Sequence, residues 1–539
     1  MPLVLLRREE HPLIMRIRYS NALLWRGLNH RPELTSFDSS EARISPCDPL
    51  ADVDQHVDLH GAFVMPAFRD GHCHPIFAGR EHVGPDVTNS KSLEDIESVV
   101  QDYANRNPEI YWIDGSAYDR SIAANFHRSE LDAIVPDRPL VLHGADHHTL
   151  WVNTKALELS GLLNQIPQVA AGSVDIDSDG VATGMLREWE AMQLVLTKMP
   201  KLSMNQELDC LDWAQSRLLE SGVVEVQDAW IDPGMTEIYL EAARNDRLRL
   251  GVNLAFRADP ASWEADFEYF EKMRRQVLEL NHPLLRANAI KFFVDGVLGS
   301  STASVIEPYV AGPAAHKHGE QVWTLPEFLR AATAASAAGY QLHMHAIGDA
   351  AVRTALDVVE EVHPSISAVI AHTELVSDVD VPRFERLEVT ANFEPLWARE
   401  DGQLLSCVSQ VGRKRIDTMY RMRDLAVAGA RLSFGSDWPV SSPVPTLGIA
   451  TAVNRSVPGG TPWSKSQALD VSEALIAYTS GVSIQLGKVS TDGTLENGQP
   501  AEFVVLSVNP FEIADRDLFE LRVIATSTAK DPLTNVLSL

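Results

Sequence analysis

Cysteine is scarce. The 539-residue chain has four, Cys47, Cys73, Cys210 and Cys407, and no two of them form a C-x-x-C pair. That spacing suggests neither a disulfide framework nor a zinc ribbon and fits a reducing compartment. Basic residues are also in deficit: 46 Lys and Arg stand against 74 Asp and Glu, a formal net charge of −28. Such a balance argues against nucleic acid or an anionic membrane as the main partner. Long apolar runs are missing too. "MPLVLLRREEHP" meets charge after a few residues, which is too short for a signal-peptide core, and nowhere do the roughly 18 apolar residues of a membrane span occur together. The expectation is a cytoplasmic protein acting on a small-molecule substrate, with no nucleic acid and no membrane as partners and with self-association as a homodimer left open.

What is present is a rhythm. Short apolar runs alternate with longer stretches of helical spacing. The runs are "AFVMPAFRDGHCHP" (62–75), "GVVEVQDAW" (222–230), "RLRLGVNLAFR" (247–257), "ANAIKFFVDGV" (287–297), "QLHMHAIGDA" (341–350), "ISAVIAHTE" (366–374), "LEVTANFEP" (387–395) and "ARLSFGSDWP" (430–439). Strands alternating with helices indicate βα units and a parallel sheet. Eight such units predict a closed (β/α)8 barrel over residues 63–486, with its active site at the C-terminal ends of the strands. Two parts break the rhythm. Residues 1–62 and 487–539 read as short strands and turns and are expected to form one small β-sandwich domain built from both ends. The stretch at about 80–215 is too long for one βα connection and is expected to be an inserted, partly helical subdomain after the first barrel strand.

Ligand-type residues collect at the ends of the predicted strands. In "GHCH", His72 and His74 are two apart, so on a strand both imidazoles point the same way. Lys291 lies in the fourth run, His343 and His345 in the fifth, His372 in the sixth, and Asp437 ends the eighth. Imidazole and carboxylate suit Zn²⁺ and similar ions. A lone strand histidine is ordinarily a core or rim residue, and an Asp after "FGS" ordinarily forms a turn or caps a helix. Such a set at one edge of one barrel points instead to a metal site.

The motifs "VMPAFRDGHCH", "HHTLWVNTKALE", "GMLRE", "GVVEVQDA", "IKFFVDGVLGSSTA", "HMHAIGDAAV", "AHTELV", "FGSDWPVSSPVPTLGIATAVNR" and "GTLENGQPAEFVVL" together span about residues 60–506. On them the sequence resembles the amidohydrolase superfamily and, within it, amidohydrolase family 3, the group of the N-substituted formamide deformylase-like enzymes. The resemblance implies a metal-dependent (β/α)8 barrel with a composite β-sandwich. It implies His72 and His74 as first-strand ligands, Lys291 as a carboxylated lysine bridging two metals, His345 and His372 as further ligands, and Asp437 as a ligand that also takes the proton from the attacking water. One or two divalent ions, zinc first among them, are the implied cofactor. His343 shares a strand face with His345, and the motif favours His345 as ligand. His148 falls at the family's histidine position, and His147 replaces a glycine there. Ala67 also stands where the family commonly has glycine, and Pro75 directly follows the histidine pair. Trp151, Trp230 and Trp438 are candidate pocket walls or core residues. Asp228 and Glu394 end the second and seventh strands, facing the pocket or closing rim salt bridges.

The chemistry agrees with these roles. A bound divalent ion lowers the pKa of water to about 7, and an amide's leaving nitrogen must gain a proton, which a nearby carboxylate can relay. Lys291 can ligate a cation only when deprotonated or carboxylated; its alternative is a salt bridge to Asp295. The expected activity is metal-dependent hydrolysis of a non-peptide C–N bond in an amide, formamide or cyclic amide. The alternatives are ester or lactone hydrolysis at the same site, or an inactive barrel with a binding or regulatory role.

Overall fold

Eight parallel strands make the largest sheet, and they coincide with the eight apolar runs: β1 Phe68–Cys73, β2 Val223–Ile231, β3 Gly251–Ala258, β4 Leu285–Phe293, β5 Gln341–Ala346, β6 Val369–His372, β7 Thr390–Phe393 and β8 Arg431–Phe434. The computed structural model describes residues 15–28, 30–119, 122, 126–145, 148–169, 172–312, 314–489 and 491–533. Each strand pairs with the next in parallel register. Just beyond β8, the Asp437 amide donates to the His72 carbonyl at 2.7 Å and brings the last strand back to the first. The result is the nearly closed barrel predicted from the βα rhythm.

Both faces of the strands are covered: every residue of β1, β5, β6 and β7 is buried, the polar ones included. The seam between β8 and β1 is tight enough to require glycine. A Cβ on Gly71 would come within 2.6 Å of Asn392 Nδ2 and Gln485 Oε1, and one on Gly435 within 2.8 Å of His72 Cβ. Amphipathic helices complete the units. The helix Asp349–Val362 after β5 buries Ala351, Val352, Ala355, Leu356, Val358 and Val359 on one face.

Strands from both ends of the chain share a second, seven-stranded sheet. Phe63–Pro66 pairs antiparallel with Phe503–Leu506, and the rings of Tyr19, Phe37 and Phe503 pack at 5.0–5.6 Å in its core. Residues 74–215, with 438–440, form a compact unit of their own. It holds a five-stranded sheet and the helices Pro75–His82 and Leu93–Arg106. Pro75 occupies the first turn of its helix, where a missing N–H costs nothing. No helix among the described residues is long and apolar enough to cross a membrane.

Near the N-terminal end of the barrel a buried acid ties four segments together. Glu225 on β2 pairs with Arg69 at 3.1 Å, with Lys488 at 2.7 Å and with Arg286. Burial pushes its carboxyl up, but Arg286, Lys488 and Arg69 outweigh burial and bring it down to about 2. An unfolded Glu titrates near 4.3, so this contribution is complete above that value and fades as pH falls toward 2. Glu225→Gln is therefore expected to lower the thermal midpoint at neutral pH and to flatten its acid dependence between about pH 4 and 2, as scanning calorimetry would record.

Candidate metal centre

Three ligand-type side chains meet at the C-terminal ends of the barrel strands. His72 is in β1, His372 ends β6, and Asp437 lies three residues beyond β8. Each offers one ligand atom, these atoms lie within 4.8 Å of one another, and all three residues are buried. Lys291 of β4 joins them: its Nζ is 3.2 Å from His72 Nε2, which is itself 3.6 Å from Asp437 Oδ1. The ring of His345, on β5, is 4.4 Å from that of His372. His74 caps the helix Pro75–His82 and is 7% exposed, its amide bonded to the Trp438 carbonyl at 2.8 Å. Two site residues other than glycine adopt left-handed backbone, His372 with φ 75° and Asp437 with φ 52°. Strain of this kind persists where the surroundings impose it and gathers at functional sites.

The imidazoles of His72, His372 and His345 are each held from behind. His343 Nε2 is 3.0 Å from His72 Nδ1, so His343 orients His72 and leaves its Nε2 toward Lys291 and Asp437. Glu394, fully buried, accepts from His372 Nδ1 at 2.9 Å. His345 Nε2 lies 3.2 Å from the Gly296 carbonyl and 3.7 Å from Asp295. A carboxylate or carbonyl on one ring nitrogen fixes the tautomer and raises the basicity of the other, the arrangement found behind metal-ligating histidines. Glu394→Gln is accordingly expected to weaken divalent-metal affinity about 10–100-fold, as measured by competition with a chromophoric chelator.

Two further acids orient the site: Asp70, which lies outside the residues singled out from sequence, and Asp295, which entered there only as a possible partner of Lys291. Asp70 accepts the His72 amide at 3.0 Å and the Ser436 amide at 3.1 Å, and also the Ser436 hydroxyl, clamping β1 to the turn that carries Asp437. Burial pushes Asp70 up to about 7 against those hydrogen bonds. Asp295 accepts the amides of Ser304, Ile347 and Gly348 at 2.8–3.0 Å, and burial raises it likewise to about 7. The salt bridge considered between Asp295 and Lys291 is therefore not formed, because Asp295 is engaged by backbone amides. Among the described residues no carboxylate lies within ion-pair distance of Lys291, whose amine burial lowers to about 8 despite the field of Asp437, Glu394 and Asp228.

The remaining residues singled out from sequence are dispersed. Asp228 is fully buried and accepts the Tyr239 hydroxyl at 2.7 Å. Trp151 is 1% exposed, donates to the His127 carbonyl and packs on Tyr118 and Phe126 in the core of the second unit. In that unit His148 Nδ1 sits 2.8 Å from Glu188, and the ring of Trp438 lies 5.7 Å from that of Trp213. His147 lies outside the described residues. Trp230 and Phe293 pack edge to face at the ends of β2 and β4.

Imidazoles, a carboxylate and an amine with no carboxylate beside it make a donor set that fits a divalent ion. In a parallel barrel such a set lies where barrel enzymes carry their active sites, at the C-terminal ends of the strands. Residues 55–529 match the model of the amidohydrolase family, and the chain belongs to that family. It is similar to the N-substituted formamide deformylase of Arthrobacter pascens, 26% identical over 87% of this chain and 88% of the other. It also resembles the protein LONG AFTER FAR-RED 3 of Arabidopsis thaliana, 27% identical over 87% and 82%. A crystal structure of a metal-dependent hydrolase from Pyrococcus horikoshii OT3 superposes with a TM-score of 0.76 at 26% identity, covering 93% of this chain and 99% of that one.

Proposed function

We propose that the protein hydrolyses a non-peptide C–N bond of an amide, formamide or cyclic amide at a centre of one or two divalent ions, zinc first among them. The ions would be held by His72, His74, Lys291, His345, His372 and Asp437, with Lys291 carboxylated. The observation that carries this reading is the approach of Lys291 Nζ and Asp437 Oδ1 to the same nitrogen of His72, at 3.2 and 3.6 Å. When bound, the ion supplies acidification of water and polarisation of a carbonyl oxygen.

The protein's own residues do the rest. Asp437 takes the proton of the attacking water and hands it to the leaving nitrogen, which departs as an amine. His343, Glu394 and Asp295 orient His72, His372 and His345 respectively, and Asp70 keeps His72 and Asp437 in register. Asp228 braces the end of β2 through Tyr239. His148 is partly exposed and oriented by Glu188.

The test is elemental analysis of the purified protein together with a panel of N-formyl and N-acyl amines, cyclic amides, esters and lactones. One to two equivalents of metal and turnover of amides are expected. A protein without metal that adding Zn²⁺, Mn²⁺ or Co²⁺ fails to activate would overturn the metal centre. Turnover of esters or lactones alone would transfer the assignment to C–O bonds.

A further inference from the structure

The peptide that joins Gly71 to His72 is held at both of its polar ends. Its N–H donates to Asp70 at 3.0 Å. Its carbonyl accepts from Gln485 Nε2 at 2.6 Å. The next carbonyl, that of His72, accepts the Asp437 amide at 2.7 Å. Asp70 and Asp437 belong to the site itself, whereas Gln485 comes from far along the chain. It closes the short helix Ser480–Gln485, is fully buried, and reaches Gly71 across 414 residues of sequence. The close approach is possible because residue 71 carries no Cβ.

The other end of the same amide reaches two more strands. Gln485 Oε1 accepts from Asn392 Nδ2 on β7 at 3.2 Å and from the Ser433 hydroxyl on β8, and Asn392 Nδ2 also donates to Ser433 at 3.0 Å. The backbone carbonyl of Gln485 accepts from Gln341 Nε2 at the start of β5. Asn392, Ser433 and Gln341 are all buried. The polarity of the bridge is forced. A carbonyl oxygen can only accept, so Gln485 must turn its nitrogen to Gly71, and its oxygen then faces Asn392 and Ser433, both able to donate. The three bridged strands are those that lead to His72, Glu394 and Asp437. Tilting the Gly71–His72 peptide would swing the His72 ring relative to Lys291 and Asp437, and a ligand constellation works only when held to within about 0.5 Å.

We infer that Gln485 is a positioning residue of the metal centre. It sets the His72 imidazole by holding the Gly71–His72 peptide from the side opposite Asp70, and it registers β7 and β8 against that peptide. This deepens the hydrolase reading and rests on its metal centre.

Gln485→Met tests it in the full chain, because Met is unbranched and fills the space while both ends of the bridge are lost. Ser483→Ala is the control: Ser483 lies in the same helix, is equally buried, and its hydroxyl has no hydrogen-bond partner among the described residues. Zn²⁺ affinity, read by competition with a chromophoric chelator, is expected to fall about 10–100-fold in Gln485→Met, the usual worth of an orienting partner. The visible spectrum of the Co²⁺-loaded protein should shift with it, and Ser483→Ala should match the wild type in both. A lower thermal midpoint with wild-type affinity and spectrum would make Gln485 a structural bridge only and overturn the inference. Where Gln485→Met does not fold, Ser433→Ala takes its place: it removes one donor to Gln485 Oε1, a smaller loss of affinity is expected, and an unchanged affinity overturns the inference. A further readout needs no metal. In metal-free protein labelled with ¹⁵N-histidine, the ring resonance of His72, assigned by its loss in His72→Ala, should move in Gln485→Met and stay in Ser483→Ala. A wild type that binds no metal would count against the hydrolase reading alone, and an unmoved His72 resonance would overturn the positioning role.

Discussion

Replacing Asp437 by Asn is expected to lower kcat by about 10²–10⁴-fold, the usual worth of a general acid–base group, while bound metal and fold largely persist. Asn keeps the size of Asp and still offers an oxygen 3.6 Å from His72 Nε2, where Asp437 Oδ1 now stands. What it loses is the ability to accept a proton. The backbone supports the exchange, since φ at this position is 52° and Asn tolerates that region as well as Asp does. If Asp437 only formed the turn after β8, Asn would replace it with almost full activity. The leaving group sharpens the comparison. An amine departs from a tetrahedral centre only when protonated, whereas an alkoxide needs less help, so the loss should be greater for an amide than for the matching ester. Steady-state rates on both, with metal measured on the same preparation, separate a proton relay from a structural cap.

The barrel and the centre were legible in the sequence to different depths. Strands buried on both faces are rich in apolar residues, so the eight runs stood out, and the polar residues toward their ends marked the candidate rim. Two-residue spacing drew attention to both histidine pairs; His343 and His345 do lie within β5, whereas His74 falls just past the end of β1. That same periodicity could not rank His343 against His345, which share one face; the structure separates them by placing His343 against His72 Nδ1. Asp70 was in plain view in "FRDGHCH", but its partner Ser436 is 366 residues away, and no local pattern announces a bond across the barrel seam. Asp295 misled for the same reason. Four residues after Lys291, it looked like that residue's counter-ion, yet it lies beyond the end of β4, where the amides of Ser304, Ile347 and Gly348 capture its carboxylate. The second unit was expected to be partly helical, and its five strands were not foreseen because they are only four to six residues long and interspersed with helices.

Lys291→Ala is expected to remove most of the bound metal and to lower activity by at least a hundredfold, more than the roughly 10–100-fold loss typical of an orienting partner. The side chain is 1% exposed, has no carboxylate in ion-pair reach among the described residues, and sets its Nζ 3.2 Å from an imidazole nitrogen that is itself a ligand candidate. A buried ammonium in that position would repel any cation brought to His72. Burial has already moved the amine toward the form that avoids this conflict. With the pKa at about 8, about a tenth of the molecules carry neutral Nζ at pH 7, against roughly one in 2,500 for an ordinary lysine. The neutral amine can attack the carbon of CO₂, lose a proton and become a carbamate with one negative charge, turning a repelling group into a ligand. Protein loaded with metal in ¹³C-labelled bicarbonate should then show a carbamate carbon by NMR that Lys291→Ala lacks. Lys291→Arg tests the same point from the other side, because guanidinium stays charged and cannot be carboxylated. If Lys291 serves only as a cation, Arg should preserve metal binding at least in part; if it serves as a carbamate, Arg should lose metal as completely as Ala. A labelled protein with full metal content and no carbamate signal would leave a single-ion centre built from the histidines and Asp437 alone.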